Sequence, residues 1–217
     1  MKVTITADWH INSKKCAYDK LEHAIKNEFD GIILHAGDLL DGYKVYRGQE
    51  FEILHHNLDD MLELAGNILS NLKNDMYVIS GNHDYSLHKH YGFDILQHLE
   101  EKIDKLHFLG HFTGDTMIDD VYFRLLHPKG YAYSISYIAQ KYIRELRKEE
   151  LQKLDFLILG HHHNFYLLNV QGVNCVGAMT FQHLTDYARR RGYSEDIGFI
   201  QLYWDKKGDY FFRKVSL

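Results

Sequence analysis

The chain has 217 residues, enough for one domain with a full hydrophobic core or at most two small ones. Its composition, 45% hydrophobic and 25% charged, is typical of soluble globular proteins, and no run of 18 apolar residues predicts a membrane span. The net charge of -5 gives no global electrostatic reason for nucleic-acid binding, although a local basic patch could still provide one.

The thiols and the N-terminus indicate the cellular context. Cys16 and Cys175 form no C-x-x-C pattern, and we interpret both as reduced thiols. Residues 1–8 resemble a strand more than a signal peptide, because the apolar run is short and no small-residue cleavage site follows it. We therefore expect a cytoplasmic protein. The unusual feature of the composition is its 16 histidines.

The first half of the chain alternates apolar runs with amphipathic stretches. Apolar runs that favour buried strands occupy residues 2–7, 31–36, 76–79 and 106–109. Apolar residues at helical spacing predict helices over residues 17–29, 49–72 and 93–101. The long helix contains His55 and His56, which we interpret as surface residues rather than metal ligands. The polar, aromatic and basic run 85–91 is consistent with a solvated loop or a substrate-contacting loop.

The second half predicts a hairpin, an amphipathic helix and further strands. The hairpin strands cover residues 116–118 and 121–126, the helix covers 134–152, and a buried strand covers 154–159. Short antiparallel strands are predicted over residues 166–170, 173–176, 199–204 and 210–215. No internal repeat or linker interrupts the chain, so we predict one domain over residues 1–217.

Polar clusters follow five of the predicted strands. They contain Asp8 and His10, Asp38, Asn82 and His83, His127, and His161 with His163. In open α/β sheets the carboxyl ends of strands collect ligands and reacting groups. In an extended backbone residues i and i+2 face the same side, which would pair Asp8 with His10 and His161 with His163. Glycines on both sides of Asp38 favour a tight loop in which one carboxylate is shared between two cations.

The donor types in these clusters indicate a borderline divalent metal. Imidazole, carboxylate and amide oxygen together suit manganese, iron or zinc, and no thiolate is present among them. Manganese is the expected metal, with iron, zinc and nickel as alternatives. Taken alone, Asp41 is better explained as a helix cap or turn residue.

The ordered set D-x-H, G-D-x-x-D, G-N-H-D, a lone His and G-H-x-H resembles the calcineurin-like metallophosphoesterase superfamily over residues 2 to about 165. The resemblance implies a four-layer α-β-β-α sandwich of two mixed sheets. It implies a first metal on Asp8, His10 and His163, a second on Asn82, His127 and His161, and a bridging Asp38. It also implies that His83 is the acid and that Asp41 orients it.

The resemblance further implies hydrolysis of phosphoesters by metal-activated water, without a covalent enzyme nucleophile. Two positions depart from family patterns. Pro128 stands where many members have glycine, and Gly42 stands where phosphoprotein phosphatases carry arginine. The second difference counts against a phosphoprotein phosphatase.

Three functions stay open at this point. The motifs are most similar to those of DNA repair nucleases, although the capping domain of those proteins is not expected here. The alternatives are a small-molecule nucleotide phosphodiesterase or phosphatase, and a non-catalytic scaffold on the same fold. Under the nuclease hypothesis, single-stranded nucleic acid is the expected partner. Its contacts would come from Arg189, Arg190, Arg191 and Lys89, with stacking on Tyr85 or Tyr91.

Overall fold

Two mixed β-sheets form the middle of the molecule in the computed structural model, which describes residues 1–130, 134, 136–205 and 208–217. The strands are β1 (Lys2–Thr6), β2 (Ile32–His35), β3 (Met76–Ser80), β4 (Leu106–His111), β5 (Thr113–Ile118), β6 (Val121–Leu126), β7 (Phe156–Leu159), β8 (Tyr166–Val170), β9 (Val173–Gly177), β10 (Gly198–Trp204) and β11 (Tyr210–Ser216). The α-helices are α1 (Tyr18–His23), α2 (Leu58–Leu69), α3 (Asn82–Tyr91), α4 (Ile95–Glu100), α5 (Tyr137–Glu145), α6 (Lys148–Leu151) and α7 (Asp186–Arg190).

Each sheet has a parallel centre and antiparallel edges. The six-stranded sheet has the order β11-β10-β1-β2-β3-β4, in which β1 to β4 run parallel and β10 is antiparallel to β1 and β11. The five-stranded sheet has the order β5-β6-β7-β9-β8, in which β6, β7 and β9 run parallel. The parallel strands of a sheet therefore end at one edge, which is where ligands gather in such folds.

Period-two alternation places apolar side chains on both faces of the central strands. Val3 and Ile5 of β1 pack against Phe156 and Ile158 of β7 in the core between the sheets. The outer face of the first sheet is covered by α1, α2 and α4, and that of the second sheet by α5. The resulting α-β-β-α sandwich confirms the predicted fold class.

The predicted helix over residues 49–72 is wrong in its first half. Residues Gln49–Phe51 form a short 3-10 turn, and α2 begins only after Asn57, whose side chain accepts a hydrogen bond from the amide of Asp60. This capping bond ends the preceding loop and starts the helix. Phe51, which the pattern placed on the buried face, is 76% exposed. His55 and His56 accordingly lie in the connection rather than in a helix.

Three other predictions need correction. Residues 85–91 belong to helix α3, which buries Leu87 although most of its side chains are polar. The predicted helix 134–152 is divided at Leu146, whose backbone is extended, and its residue 135 lies outside the described residues. The strand at 173–177 pairs antiparallel with β8 but parallel with β7, so its description as purely antiparallel is incomplete.

In the part of the chain that the structure describes, no helix is long and apolar enough to cross a membrane.

We expect Ile5→Ala to destabilise the fold. Ile5 is completely buried between the sheets, so the truncation should lower the free energy of unfolding by about 2–5 kcal/mol, measured by urea denaturation. Leu167→Ala on the edge strand β8 is the control, because Leu167 is 44% exposed and its loss should change stability by at most about 0.5 kcal/mol. Equal losses in the two variants would contradict this description of the core.

Candidate metal centre

The predicted donor residues come together at the carboxyl ends of β1, β2, β3, β6 and β7. The expectation of an extended backbone at these pairs is wrong, although Asp8 and His10 lie in one donor cluster as predicted. Asp8, His10, His161 and His163 all have positive φ, at 53°, 48°, 73° and 57°. Such left-handed conformations are costly for residues other than glycine, and they turn the chain sharply after each strand. His161 and His163 consequently face two different donor clusters instead of sharing one.

The first cluster contains Asp8, His10 and His163. The Nε2 atoms of His10 and His163 are 3.4 Å apart, and the Oδ1 atom of Asp8 lies 3.5 Å from Nε2 of His163. Asp8 is completely buried and is held by the amide of His161, which donates to its carboxylate at 2.9 Å and 3.1 Å. These hydrogen bonds from the loop that follows β7 thus fix the orientation of the Asp8 carboxylate.

The second cluster contains Asp38, His127 and His161, with Asn82 beside them. Nε2 of His127 lies 3.2 Å from Nδ1 of His161, from Oδ1 of Asn82 and from Oδ2 of Asp38. The same Oδ2 of Asp38 lies 3.9 Å from Nε2 of His10 in the first cluster. Asp38 therefore stands between the two donor sets.

The second cluster fits a cation by its chemistry. Nδ1 of His127 donates to the carbonyl oxygen of Ala36 at 2.9 Å, so in the neutral ring Nε2 carries a lone pair. That lone pair faces the oxygens of Asn82 and Asp38, so acceptors point at acceptors in a buried place. A cation or a proton among them is required to stabilise this arrangement.

The ionisation of the buried groups agrees with a site that binds cations. Burial disfavours the carboxylate of Asp38, but His127 and His83 outweigh burial and hold the pKa of Asp38 well below its usual value. Burial alone would lower the pKa of His127, yet Asp38 raises it to about 9. Burial and the neighbouring His127 lower the pKa of His161 to about 3, which leaves it neutral and able to act as a ligand.

His83 lies beside the donor clusters and is hydrogen-bonded to a buried carboxylate. Its Nδ1 is 2.5 Å from Oδ1 of Asp41, and its ring meets that of His10 edge to face at 4.5 Å. Burial opposes protonation, but Asp38 and Asp41 raise the pKa of His83 to about 9. His10, Asp41 and His83 also converge closely enough to hold an ion, but the short His83–Asp41 contact identifies these two as a hydrogen-bonded pair.

Two polar residues of this region had no predicted role. Gln49 is completely buried and donates from Nε2 to Oδ1 of Asp41 at 2.6 Å. Asp84 accepts hydrogen bonds from the amides of Leu40 at 2.7 Å and Gly81 at 2.9 Å, which ties the loop after β2 to the loop after β3. Asp84 is the last letter of the G-N-H-D motif, so its position was visible, whereas Gln49 was assigned to a helix and gave no signal.

Two cavities open onto the centre, and Asn82 and His161 line both. The first, which we term the aromatic cavity, has a volume of about 290 Å³ and includes Tyr46, Tyr187 and Tyr193 in its wall. The second, which we term the lysine groove, has a volume of about 960 Å³. Outside the donor clusters its basic residues are Lys44, Lys89, His90, Lys129 and Lys141, and Glu145 is the acidic residue among its described lining.

Of the basic residues predicted to contact nucleic acid, Lys89 lines the lysine groove, whereas the three arginines do not. Arg189 and Arg190 belong to the short helix α7, and Arg191 follows it with its guanidinium 5.4 Å from the ring centre of Tyr187. None of the three lines either cavity, although Tyr187 and Ala188 line the aromatic one. Lys89 and Tyr85 line the lysine groove, whereas Tyr91 lies 60% exposed against Tyr43.

Comparison with solved structures finds the same fold over the whole chain. A novel archaeal phosphodiesterase has 16% identity and a TM-score of 0.59, covering 99% of this chain and 100% of that one. A single mutant of Vps29 from Entamoeba histolytica has 15% identity and a TM-score of 0.54, covering 100% and 99%. GAP50, the anchor in the inner membrane complex of Plasmodium, has 14% identity and a TM-score of 0.55, covering 100% and 84%.

At these identities the structural likeness establishes the fold alone. No curated protein matches the sequence. The family model for calcineurin-like phosphoesterases matches residues 1–166, which include all of the strand-end donor residues described above. The chain therefore belongs to the calcineurin-like phosphoesterase family.

Proposed function

We propose that this protein is a phosphodiesterase that works with two divalent cations. The observation that carries the proposal is the convergence of two donor clusters on the shared carboxylate of Asp38, next to the His83–Asp41 pair and between two cavities. Membership of a phosphoesterase family agrees with this geometry.

In this proposal the first cation would be held by Asp8, His10 and His163, the second by Asn82, His127 and His161, and Asp38 would be shared. Mixed nitrogen and oxygen donors without thiolate favour Mn²⁺, with iron, zinc and nickel as alternatives. When bound, the cations supply Lewis acidity toward phosphoryl oxygens and lower the pKa of water. The carboxylates and imidazoles of the chain hold them at fixed positions before substrate arrives.

His83 is the proposed general acid. Asp41 holds Nδ1, and Gln49 holds Asp41, so the ring has one orientation and Nε2 is the nitrogen left for substrate. When His83 is protonated, Nε2 can donate its proton to the leaving-group oxygen as the bond from that oxygen to phosphorus breaks. The raised pKa of His83 keeps it protonated near neutral pH in the protein without bound cations.

The two cavities support a diester rather than a monoester. A diester has an organic group on each of two phosphorus oxygens, and both groups need space. Asn82 and His161 line both cavities, so phosphorus bound near them would have room on either side. The aromatic cavity suits a planar group such as a nucleobase, and the lysine groove suits neighbouring phosphates.

These features support single-stranded nucleic acid or a smaller nucleotide diester as substrate. The described lining of the groove contains four lysines and one glutamate, whereas the chain as a whole has a net charge of -5. The groove is therefore a locally cationic surface on an acidic protein. The rival function, a non-catalytic scaffold, draws support from the fold shared with Vps29. Against it stands the place of the His83–Asp41 pair, because a scaffold needs no proton donor in the wall of a cavity beside two metal-donor clusters.

The proposed function is tested by offering the purified protein a substrate panel with each of several divalent metals. The panel contains a nitrophenyl monoester, a nitrophenyl diester, and single- and double-stranded DNA. We expect metal-dependent turnover of the diester above that of the monoester. No turnover of any substrate in any metal would support the scaffold instead.

We expect Asp38→Asn to bind neither cation. Asparagine removes the shared negative charge but can still accept the hydrogen bond that the amide of His83 donates at 2.8 Å, so the fold should persist. Elemental analysis of purified protein measures the change. His10→Ala is the comparison, because it should weaken mainly one cation. Two metals per chain retained in Asp38→Asn would exclude the bridging role.

We expect His83→Ala to keep its metals and lose turnover by about 10²–10⁴, the usual contribution of a general acid. The loss should be large for an ester with an alkoxide leaving group and small for one with nitrophenolate, because nitrophenolate leaves without a proton. Steady-state kinetics on the two esters provides the comparison. Equal losses on both would assign His83 a positioning role.

We expect Lys89→Ala combined with Lys141→Ala to weaken binding of single-stranded DNA and to flatten its salt dependence. Each lost phosphate contact should reduce the slope of log K against log salt by about 0.7, as measured by fluorescence anisotropy. Lys102→Ala with Lys153→Ala removes the same charge from exposed positions outside both cavities and should leave the slope unchanged. Cleavage of a small nitrophenyl diester should be equal in both double variants, and a matching loss there would indicate structural damage instead.

A further inference from the structure

We propose that His88, Asp94 and His111 form a second, separate cation site for a borderline divalent metal of the zinc type. One ligand atom from each of these residues lies within 4.8 Å of the other two. The three come from different elements: His88 from α3, Asp94 from the cap of α4, and His111 from the end of β4. None belongs to the two donor clusters of the candidate metal centre.

The donor set is one that zinc binds. Two imidazoles and a carboxylate supply three protein ligands, and water completes a tetrahedral shell. His88, Asp94 and His111 are all half-buried, so water can reach the site while the ligands stay ordered. Nε2 of His111 already lies 3.2 Å from Oδ2 of Asp94.

The side chains around the cluster hold the ligands in place. Ser80, which is buried, contacts Nδ1 of His111 with its hydroxyl at 2.9 Å, and this contact fixes the ring. The other oxygen of Asp94 accepts a hydrogen bond from the amide of Gln97 at 3.3 Å. Outer contacts of this kind orient ligands in known metal sites.

An aromatic wall covers one side of both imidazoles. Tyr85 stacks on His88 at a ring distance of 5.1 Å and meets His111 edge to face at 4.9 Å. The Nδ1 atom of His88 is buried and has no hydrogen-bond partner within the described residues. An unpaired buried nitrogen is costly, and a cation bound to Nδ1 of His88 would remove that cost.

A cation here would join α3, the start of α4 and β4. Ser80 ends β3, and only Gly81 separates it from Asn82 and His83 at the start of α3. The backbone of Phe112, next to His111, accepts from the amide of His127 at 2.8 Å. The proposed role is therefore structural: the cation would brace the loops behind the metal centre, and metal binding would stabilise the fold.

The test counts zinc bound by the metal-stripped full chain at saturation, by equilibrium dialysis and elemental analysis. Parent protein should bind one more zinc per chain than His111→Ala, and zinc should raise the melting temperature less in that variant. His107→Ala is the matched control: His107 lies on the same strand and is also paired with an aspartate, Asp75, at 2.9 Å, but no second histidine among the described residues completes a cluster with them. Its zinc count should equal that of the parent.

Equal zinc counts in parent and His111→Ala would overturn the site. If circular dichroism shows that His111→Ala is unfolded, the zinc count is measured instead on His88→Gln in helix α3, which should also bind one zinc fewer than the parent. The outcome is independent of the proposed function, because Asp38→Asn should still bind the zinc held by His88, Asp94 and His111. A chain that binds this zinc but hydrolyses no phosphoester would retain the site and lose the proposed function.

Discussion

Three buried carboxylates, those of Asp8, Asp38 and Asp41, determine how the loops around the metal centre are built. Asp8 and Asp41 are completely inaccessible to solvent, and Asp38 is 1% exposed. Removing carboxylates from water costs several kcal/mol each unless opposite charge and hydrogen bonds surround them. Here backbone amides from neighbouring loops and a ring of imidazoles provide that compensation.

This requirement determines the backbone around the centre. The amides can reach the carboxylates only when the loops after the parallel strands approach closely, and Gly81 shows how closely. A Cβ atom at Gly81 would lie 2.1 Å from Oδ1 of Asp38, so no larger residue fits without displacing the loop. The close approach of these loops also accompanies left-handed backbone conformations at five donor residues: Asp8, His10, Asp38, His161 and His163. The packing of the two sheets beneath offsets the cost of these conformations.

The fold and the location of the centre were predictable because both depend on patterns along the chain. Apolar alternation identified the strands, and polar residues after β1, β2, β3, β6 and β7 marked the edge where the donors meet. The period of apolar residues near Phe51 and Leu54 indicates a helix, but both side chains are exposed, and the buried side chain of Gln49 bonds to Asp41 in the preceding loop instead.

Side-chain networks were beyond sequence reasoning because they depend on residues far apart in the chain. Gln49 supports the His83–Asp41 pair from a short 3-10 turn, and the lysines of the groove come from four separate segments. The arginine run, conspicuous in the sequence, lies at the end of the short helix α7, outside both cavities. Adjacent charges along a chain do not predict a shared surface, since side chains of a helix point in different directions.

Titration of metal-stripped protein with Mn²⁺, while hydrolysis of a nitrophenyl diester is followed, shows whether turnover needs both donor clusters filled. Under the proposed function, the two donor clusters that share Asp38 require both cations for turnover. We expect little activity at the first equivalent per chain and a steep rise at the second, with Asp38→Asn inactive throughout. Full activity at one equivalent, or in the presence of a chelator, would contradict it.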